Sequence, residues 1–191
     1  MPKLLIVIAS TRPGRIGLPF GEWFYERALA HGGFEVQLVD LAVLNLPLLD
    51  EPNHPRLRQY TQEHTHAWSA TVEAADTIVF VTSEYNYGYP AALKNAIDYL
   101  HHEWRYKAVS FVSYGGVAAG TRSVQQLKQV VTALGMVPIQ AAVNVPFAVQ
   151  FLGEDGTVAA NDVMVQAAAD MLDELRRVNE ALVSLRADAS A

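Results

Sequence analysis

Leu4-Leu5-Ile6-Val7-Ile8, followed at once by Ala9-Ser10-Thr11-Arg12-Pro13-Gly14-Arg15-Ile16-Gly17, decides how this chain is read. An unbroken apolar run has no polar face, which is what a parallel strand covered by helices on both sides requires. The polar, glycine-bearing connection then enters a segment where Phe20, Trp23, Phe24 and Ala28 recur at helical spacing. This strand–loop–helix unit repeats. Phe34–Val39 is a second strand, alternating and so nearer an edge. Thr77–Val81 is a third and Ala108–Val112 a fourth, while Val137–Val145 holds a fifth, interrupted by Pro138. Between them lie helical faces at Leu57, Tyr60, His64, Ala67 and Thr71, at Leu93, Ala96, Ile97 and Leu100, and at Val124, Leu127, Val131 and Leu134. Ala168, Met171, Leu172, Leu175 and Leu182 mark a long closing helix. The alternation predicts an α/β fold, a five-stranded parallel sheet with helices on both faces and right-handed crossovers. The pattern alone leaves strand order open between 2-1-3-4-5 and an order of the dinucleotide-binding type.

Composition narrows the function. At 191 residues the chain reads as a single domain over 1–191, with a tail from about 185 to 191 free of the core. It has no cysteine, which excludes disulfide scaffolds, thiolate metal sites and cysteine nucleophiles, the low-molecular-weight phosphatases included. A net charge of -6 argues against a nucleic-acid partner. The apolar stretch Leu4–Ala9 is too short to insert in a membrane and lacks a signal peptide's flanks, so a cytoplasmic location is expected.

In doubly wound sheets, ligands bind beyond the carboxyl ends of the strands, and three loops there are unusual. Ser10, Thr11, Arg12, Gly14, Arg15, Ile16 and Gly17 bring hydroxyls, two guanidiniums and a helix N-terminus together, a combination suited to phosphate. Neither a G-x-x-x-x-G-K-[ST] nor a G-x-G-x-x-G pattern is present. After strand three come Glu84, Tyr85, Asn86, Tyr87, Gly88 and Tyr89, a tyrosine-rich turn suited to a planar heteroaromatic ligand. After strand four come Ser113, Tyr114, Gly115 and Gly116, with Gly120 close behind, which allow a flat ligand near the backbone. The histidines do not suggest a metal: His64 and His66 splay on a helix, and His101 and His102 sit where a helix end favours a cation. Lys94 and Asp98 read as an i, i+4 surface pair.

The segments Ser10–Arg15, Glu84–Leu100 and Tyr114-Gly115-Gly116 with Gly120 are similar to those of the NADPH-dependent FMN reductase family, which groups flavodoxin-like quinone, azo-dye and chromate reductases. The resemblance runs from about Lys3 to Leu182 and implies a flavodoxin-like three-layer sandwich of strand order 2-1-3-4-5. It implies bound FMN, its phosphate on Ser10, Arg12 and the helix start near Ile16, its ring held by Glu84, Tyr85, Asn86 and Tyr87. Ser113, Tyr114, Gly115 and Gly116 would lie beneath ring and ribityl chain. Thr11, Arg15 and Gly17 complete the expected cradle, with Arg12 or Arg15 also available to the nicotinamide phosphates. NADPH or NADH is the implied co-substrate, a small electron acceptor the implied partner, and a homodimer or tetramer the implied assembly. The activity expected is transfer from NADPH through FMN to a quinone, azo dye or free flavin, both substrates sharing one site. The contrasting class is a flavodoxin-type carrier that serves protein partners and ignores NADPH. Ala9 and Ser83 stand where the family often has Gly and Pro.

Overall fold

The computed structural model describes residues 1–189. In chain order the elements are β1 (Lys3–Ile8), α1 (Gly17–His31), β2 (Glu35–Asp40), α2 (Leu41–Leu44), α3 (Glu63–Glu73), β3 (Thr77–Ser83) and α4 (Ala91–Asp98). They continue with β4 (Ala108–Tyr114), α5 (Thr121–Ala133), β5 (Val137–Pro138), β6 (Val143–Val145) and α6 (Asp162–Ala189). All pairings are parallel, in the order β2-β1-β3-β4-β5, with β6 also on β4. The flavodoxin-like order is thus the one adopted, and β2 is the edge strand its alternation predicts.

The period of two along β1 splits the core. Leu4, Ile6 and Ile8 pack with Phe20 and Phe24 of α1 and Met171, Leu172 and Leu175 of α6. Leu5 and Val7 pack with Trp68 of α3, Leu93 and Ile97 of α4, and Leu127 and Val131 of α5. A strand buried on both faces is the reason the opening run carries no polar residue. Lys94 and Asp98 form their surface pair. Among the described residues no helix is long and apolar enough to cross a membrane.

Three expectations change. The fifth strand is two fragments, β5 and β6, because Pro138 has no N–H to give a ladder. Ala141 is instead tied down from both sides: Ser110 Oγ donates to its carbonyl at 2.6 Å, and its N–H donates to Glu174 Oε2 of α6 at 2.8 Å. The helix before β3 starts at Glu63, not near Leu57, and buries Thr65, Trp68 and Val72. Pro55–Leu57 is a separate 3₁₀ turn ended by Arg58 at φ 50°, and Leu57 stays exposed. Trp68 sets the orientation, since its indole donates to the Ala96 carbonyl at 2.8 Å from a fully buried site. One residue's offset in the chosen face is about 100° of helix rotation. Finally, the closing helix, read from its apolar face as far as Leu182, runs on through Ala189; residues 190 and 191 of the expected tail lie outside the described residues.

Candidate active site

The loops after β1, β3, β4 and β6 meet at the carboxyl edge of the sheet around a cavity of about 420 Å³. The first loop supplies Arg12, Arg15 and Ile16, and the second Ser83, Glu84 and Tyr85. The rest of the wall is Tyr114, Gly115 and Gly116 with Phe147–Gln150.

The first loop is a turn closed by the Arg15 N–H on the Arg12 carbonyl at 3.1 Å, with Gly14 at φ 69°. It delivers the chain to α1, whose N-cap Ile16 provides no side-chain hydrogen bond and whose first turn holds no acid. The unpaired N–H groups there leave partial positive charge beside the cavity. Asp40, at the end of β2, forms an ion pair with the Arg15 guanidinium, yet Arg15 Nε stays buried without a partner. Ser83 Oγ and Tyr114 Oη are also buried, and lie against each other and the hydroxyls of Ser10 and Tyr85. An orphaned buried polar atom costs about 1–3 kcal/mol, and Arg15 Nε stands beside this cavity as a donor without an acceptor.

Ser10 is fully buried, and its hydroxyl shares a 2.6 Å hydrogen bond with Tyr85 Oη, joining the first and second loops. Thr11 is exposed and lines a different cavity of about 290 Å³, beside Leu41 and Asn95. Gly17 does not line the main cavity; it makes room for Tyr114. A Cβ at Gly17 would lie 2.4 Å from Tyr114 Oη, and the Tyr114 ring stacks on Phe20 of α1 at 5.4 Å. Tyr114 is therefore a core ring that also forms part of the cavity wall. Burial pushes its phenol up to about 12. Tyr85 differs: burial raises its phenol, but the hydroxyls of Ser10 and Ser83 and the charge of Arg12 bring it below the ordinary value.

The second loop is a tight turn. Tyr85 and Gly88 exchange both N–H···O bonds, at 2.8 and 2.9 Å, and Asn86 and Tyr87 sit at φ 51° and 71°. Positive φ at both central residues is the I′ hairpin geometry. Glu84, its side chain 7% exposed, forms an ion pair with Arg122 and accepts from the Arg122 N–H at 3.3 Å, so it caps α5 where Gly120 cannot. The Arg122 guanidinium lies 4.0 Å over the Tyr87 ring. Asn86 and Tyr87 shape the turn without lining the cavity.

In the third loop Ser113 Oγ donates to Asn144 Oδ1 at 2.9 Å, so its side chain is turned to β6 and away from the site. Gly120, at φ 75°, has the Tyr114 carbonyl 2.9 Å from a built Cβ: the loop's own closure demands it. Only at Gly116 would an added Cβ meet nothing within 4 Å. The wall formed by Phe147–Gln150 was not anticipated. Its N–H groups at Phe147 and Ala148 donate to Gly116 and Gly115 at 3.0 Å, clipping it onto the glycine loop. Its signal was its place directly after Val145, where the fifth strand was expected to end and where β6 does end.

The model of the NADPH-dependent FMN reductase family matches residues 2–150. The chain belongs to this family. Membership makes the reductase an oxidoreductase of FMN and a reduced nicotinamide nucleotide. It is 42% identical over 149 residues to an NAD(P)H-dependent FMN reductase of Schizosaccharomyces pombe, covering 76% of this chain and 74% of that protein. Over 128 residues it is 43% identical to an NAD(P)H-dependent FMN reductase of Saccharomyces cerevisiae, covering 63% of this chain and 66% of that one. The solved structure of FerB, a flavoenzyme NAD(P)H:(acceptor) oxidoreductase from Paracoccus denitrificans, superposes with a TM-score of 0.76 at 19% identity, covering 95% of this chain and 98% of that one. At that identity the likeness is one of fold.

Proposed function

We propose that this reductase holds FMN in the cavity at the sheet's carboxyl edge and serves NADPH or NADH and a small acceptor at the same opening, in turn. The acceptor class is a quinone, azo dye, free flavin or similar molecule. The observation that carries the reading is the buried, unpartnered Arg15 Nε beside the uncapped start of α1, with the hydroxyls of Ser10, Ser83 and Tyr114 gathered next to it. These donors suit the anionic, hydroxyl-bearing end of FMN. Ser10 and Arg12 add to the phosphate end, the latter from an exposed position beside the Tyr85 phenol. The ring end is assigned to the main chain of Glu84–Tyr87 and to Gly115 and Gly116, where the glycines keep the wall low. Thr11 and Ser113, whose side chains face elsewhere, contribute main-chain atoms only.

Bound FMN supplies the redox chemistry, accepting two electrons from the nicotinamide and passing them on. The chain's part is to position and polarise. The Glu84–Arg122 pair fixes the turn that meets the ring. Exposed apolar side chains, Phe147 and Val149 of the cavity wall and Tyr87 and Val117 on the neighbouring loops, form a rim. A second copy covering that rim is part of the proposal, as a homodimer or tetramer, and light scattering after size exclusion reads it directly. A single 191-residue domain working in the cytoplasm completes the reading.

The test is anaerobic mixing of FMN-loaded protein with NADPH. Rapid bleaching of the flavin's visible band supports the reductase; a persistent yellow colour sinks it in favour of a carrier for protein partners. Parallel double-reciprocal lines for NADPH and a quinone support alternating use of one opening, and intersecting lines refute it.

A further inference from the structure

The amino end of the sheet carries a second pocket. A cavity of about 550 Å³ lies between the segment entering β4 and the end of α5, with Arg56, His101, His102 and Arg105 on one side and Thr132–Gly135 on the other. It is lined by two arginines and two histidines and by no carboxylate. In a chain of net charge -6 that concentration of positive groups needs a reason.

The neighbouring cavity shows what an ordinary ionic network looks like. There Arg58, Lys107 and Arg186 are interleaved with Glu73, Asp76 and Glu103, and Arg58 and Arg186 have carboxylate partners; His102 and Arg105 line both cavities. Among the described residues neither Arg56 nor Arg105 has one. The nearest carboxylate, Glu103, accepts from the His101 N–H, from Tyr60 and from Ser69, and does not line the pocket.

Capping of α5 does not explain the cations either. The carbonyls of Val131, Thr132 and Gly135 already accept from the main-chain N–H groups of Leu134, Gly135, Met136 and Tyr106. The histidine geometry points the other way, to a missing acceptor. Arg56 Nε donates to His101 Nε2 at 3.1 Å, which leaves the ring's hydrogen on Nδ1. That Nδ1 is buried and has no partner. His102, 4.8 Å from His101 ring to ring, is fixed through Nε2 on the Arg56 carbonyl at 2.9 Å.

We propose that Arg56, His101, His102 and Arg105 form a binding site for a phosphoryl-bearing small molecule, separate from the FMN cavity. Two guanidiniums and an imidazole N–H match phosphate oxygens, and Arg grips such groups through two bonds at once. The two sites stand at opposite ends of α5: the FMN cavity is by its first residues and this pocket at its last, about 20 Å away along a helix of this length. A ligand held here therefore takes no part in the electron transfer itself.

His101 reports on occupancy. Burial holds its imidazole below the ordinary value, and so do the positive neighbours His102, Arg56, His54 and Arg105. The titratable and charged groups around it are His54 and Arg56 from the 3₁₀ turn and His102, Glu103 and Arg105 from its own segment; the end of α5 adds none to the lining. A bound anion stabilises the charged imidazole, so the midpoint must move up.

FMN-loaded protein, its first site filled, is titrated with inorganic pyrophosphate by calorimetry and followed at the His101 ring by NMR. The expected result is one pyrophosphate per chain, a higher His101 midpoint with His31 unmoved, and about tenfold weaker binding in Arg56→Gln and in Arg105→Gln. The NMR arm needs no substitution and so does not depend on how the variants fold. Absence of binding, an unmoved His101, binding undiminished in both variants, or sulfate binding as tightly as pyrophosphate would each overturn the assignment.

Discussion

The loops after β1 and β3 face each other across one cavity and are built on opposite plans. The β3 loop spends its polar groups on itself: Tyr85 and Gly88 close a turn, Glu84 is committed to Arg122, and Arg122 covers Tyr87. The β1 loop leaves groups over: an uncapped helix start, an exposed Arg12 and the unpaired Nε of Arg15. A wall that has satisfied itself offers shape. A wall with orphans offers binding energy, because a ligand there removes a penalty the protein otherwise carries.

The sharpest way to break this contrast is Arg12→Ala. FMN binding should weaken by about 1.5–3 kcal/mol, the scale of a hydrogen bond to a charged group, while riboflavin, which has no phosphate, changes little. Equal losses for both ligands, measured by fluorescence titration, would make Arg12 structural. Next is Gly17→Ala, whose new Cβ must displace the Tyr114 hydroxyl 2.4 Å away. Overpacking of this kind costs about 1–3 kcal/mol. Urea unfolding should show it, with part of the loss restored by adding Tyr114→Phe.

On the other wall, Glu84→Ala removes the cap of α5, worth about 1 kcal/mol of stability. Because it loosens the ring end, it should weaken FMN and riboflavin alike, the opposite signature to Arg12→Ala. The smallest effect is spectroscopic. In an alkaline titration of the apoprotein followed by phenolate absorbance, Tyr85 ionises below the ordinary phenol value and Tyr114 stays neutral until about 12. The earliest step should vanish in Tyr85→Phe and survive in Tyr114→Phe.

The sheet was legible because buried strands leave an uninterrupted apolar record, as at Leu4–Ile8, and the loops that follow such strands are thereby located. What stayed hidden depended on contacts between distant residues. Trp68 rotated α3 by hydrogen bonding to Ala96, and Glu174 and Ser110 held the break between β5 and β6 from other elements. Tyr114, which the resemblance puts beneath a ligand, lines the cavity and is at the same time a core ring, because Gly17 leaves a slot in α1 for its hydroxyl. Residue type showed where chemistry was possible; packing decided which side chains were left over to perform it.

The divided border of the sheet bears on how copies of this chain can meet. Beyond β4 lie only a two-residue and a three-residue fragment, with Pro138 in the first. Such a margin presents no continuous row of amides for a foreign strand to extend, which is the usual route to ordered aggregates. The opposite margin, β2, turns the polar side chains of Glu35 and Gln37 outward. At the margin formed by β5 and β6, contact between copies therefore runs through side chains and not through growth of the sheet.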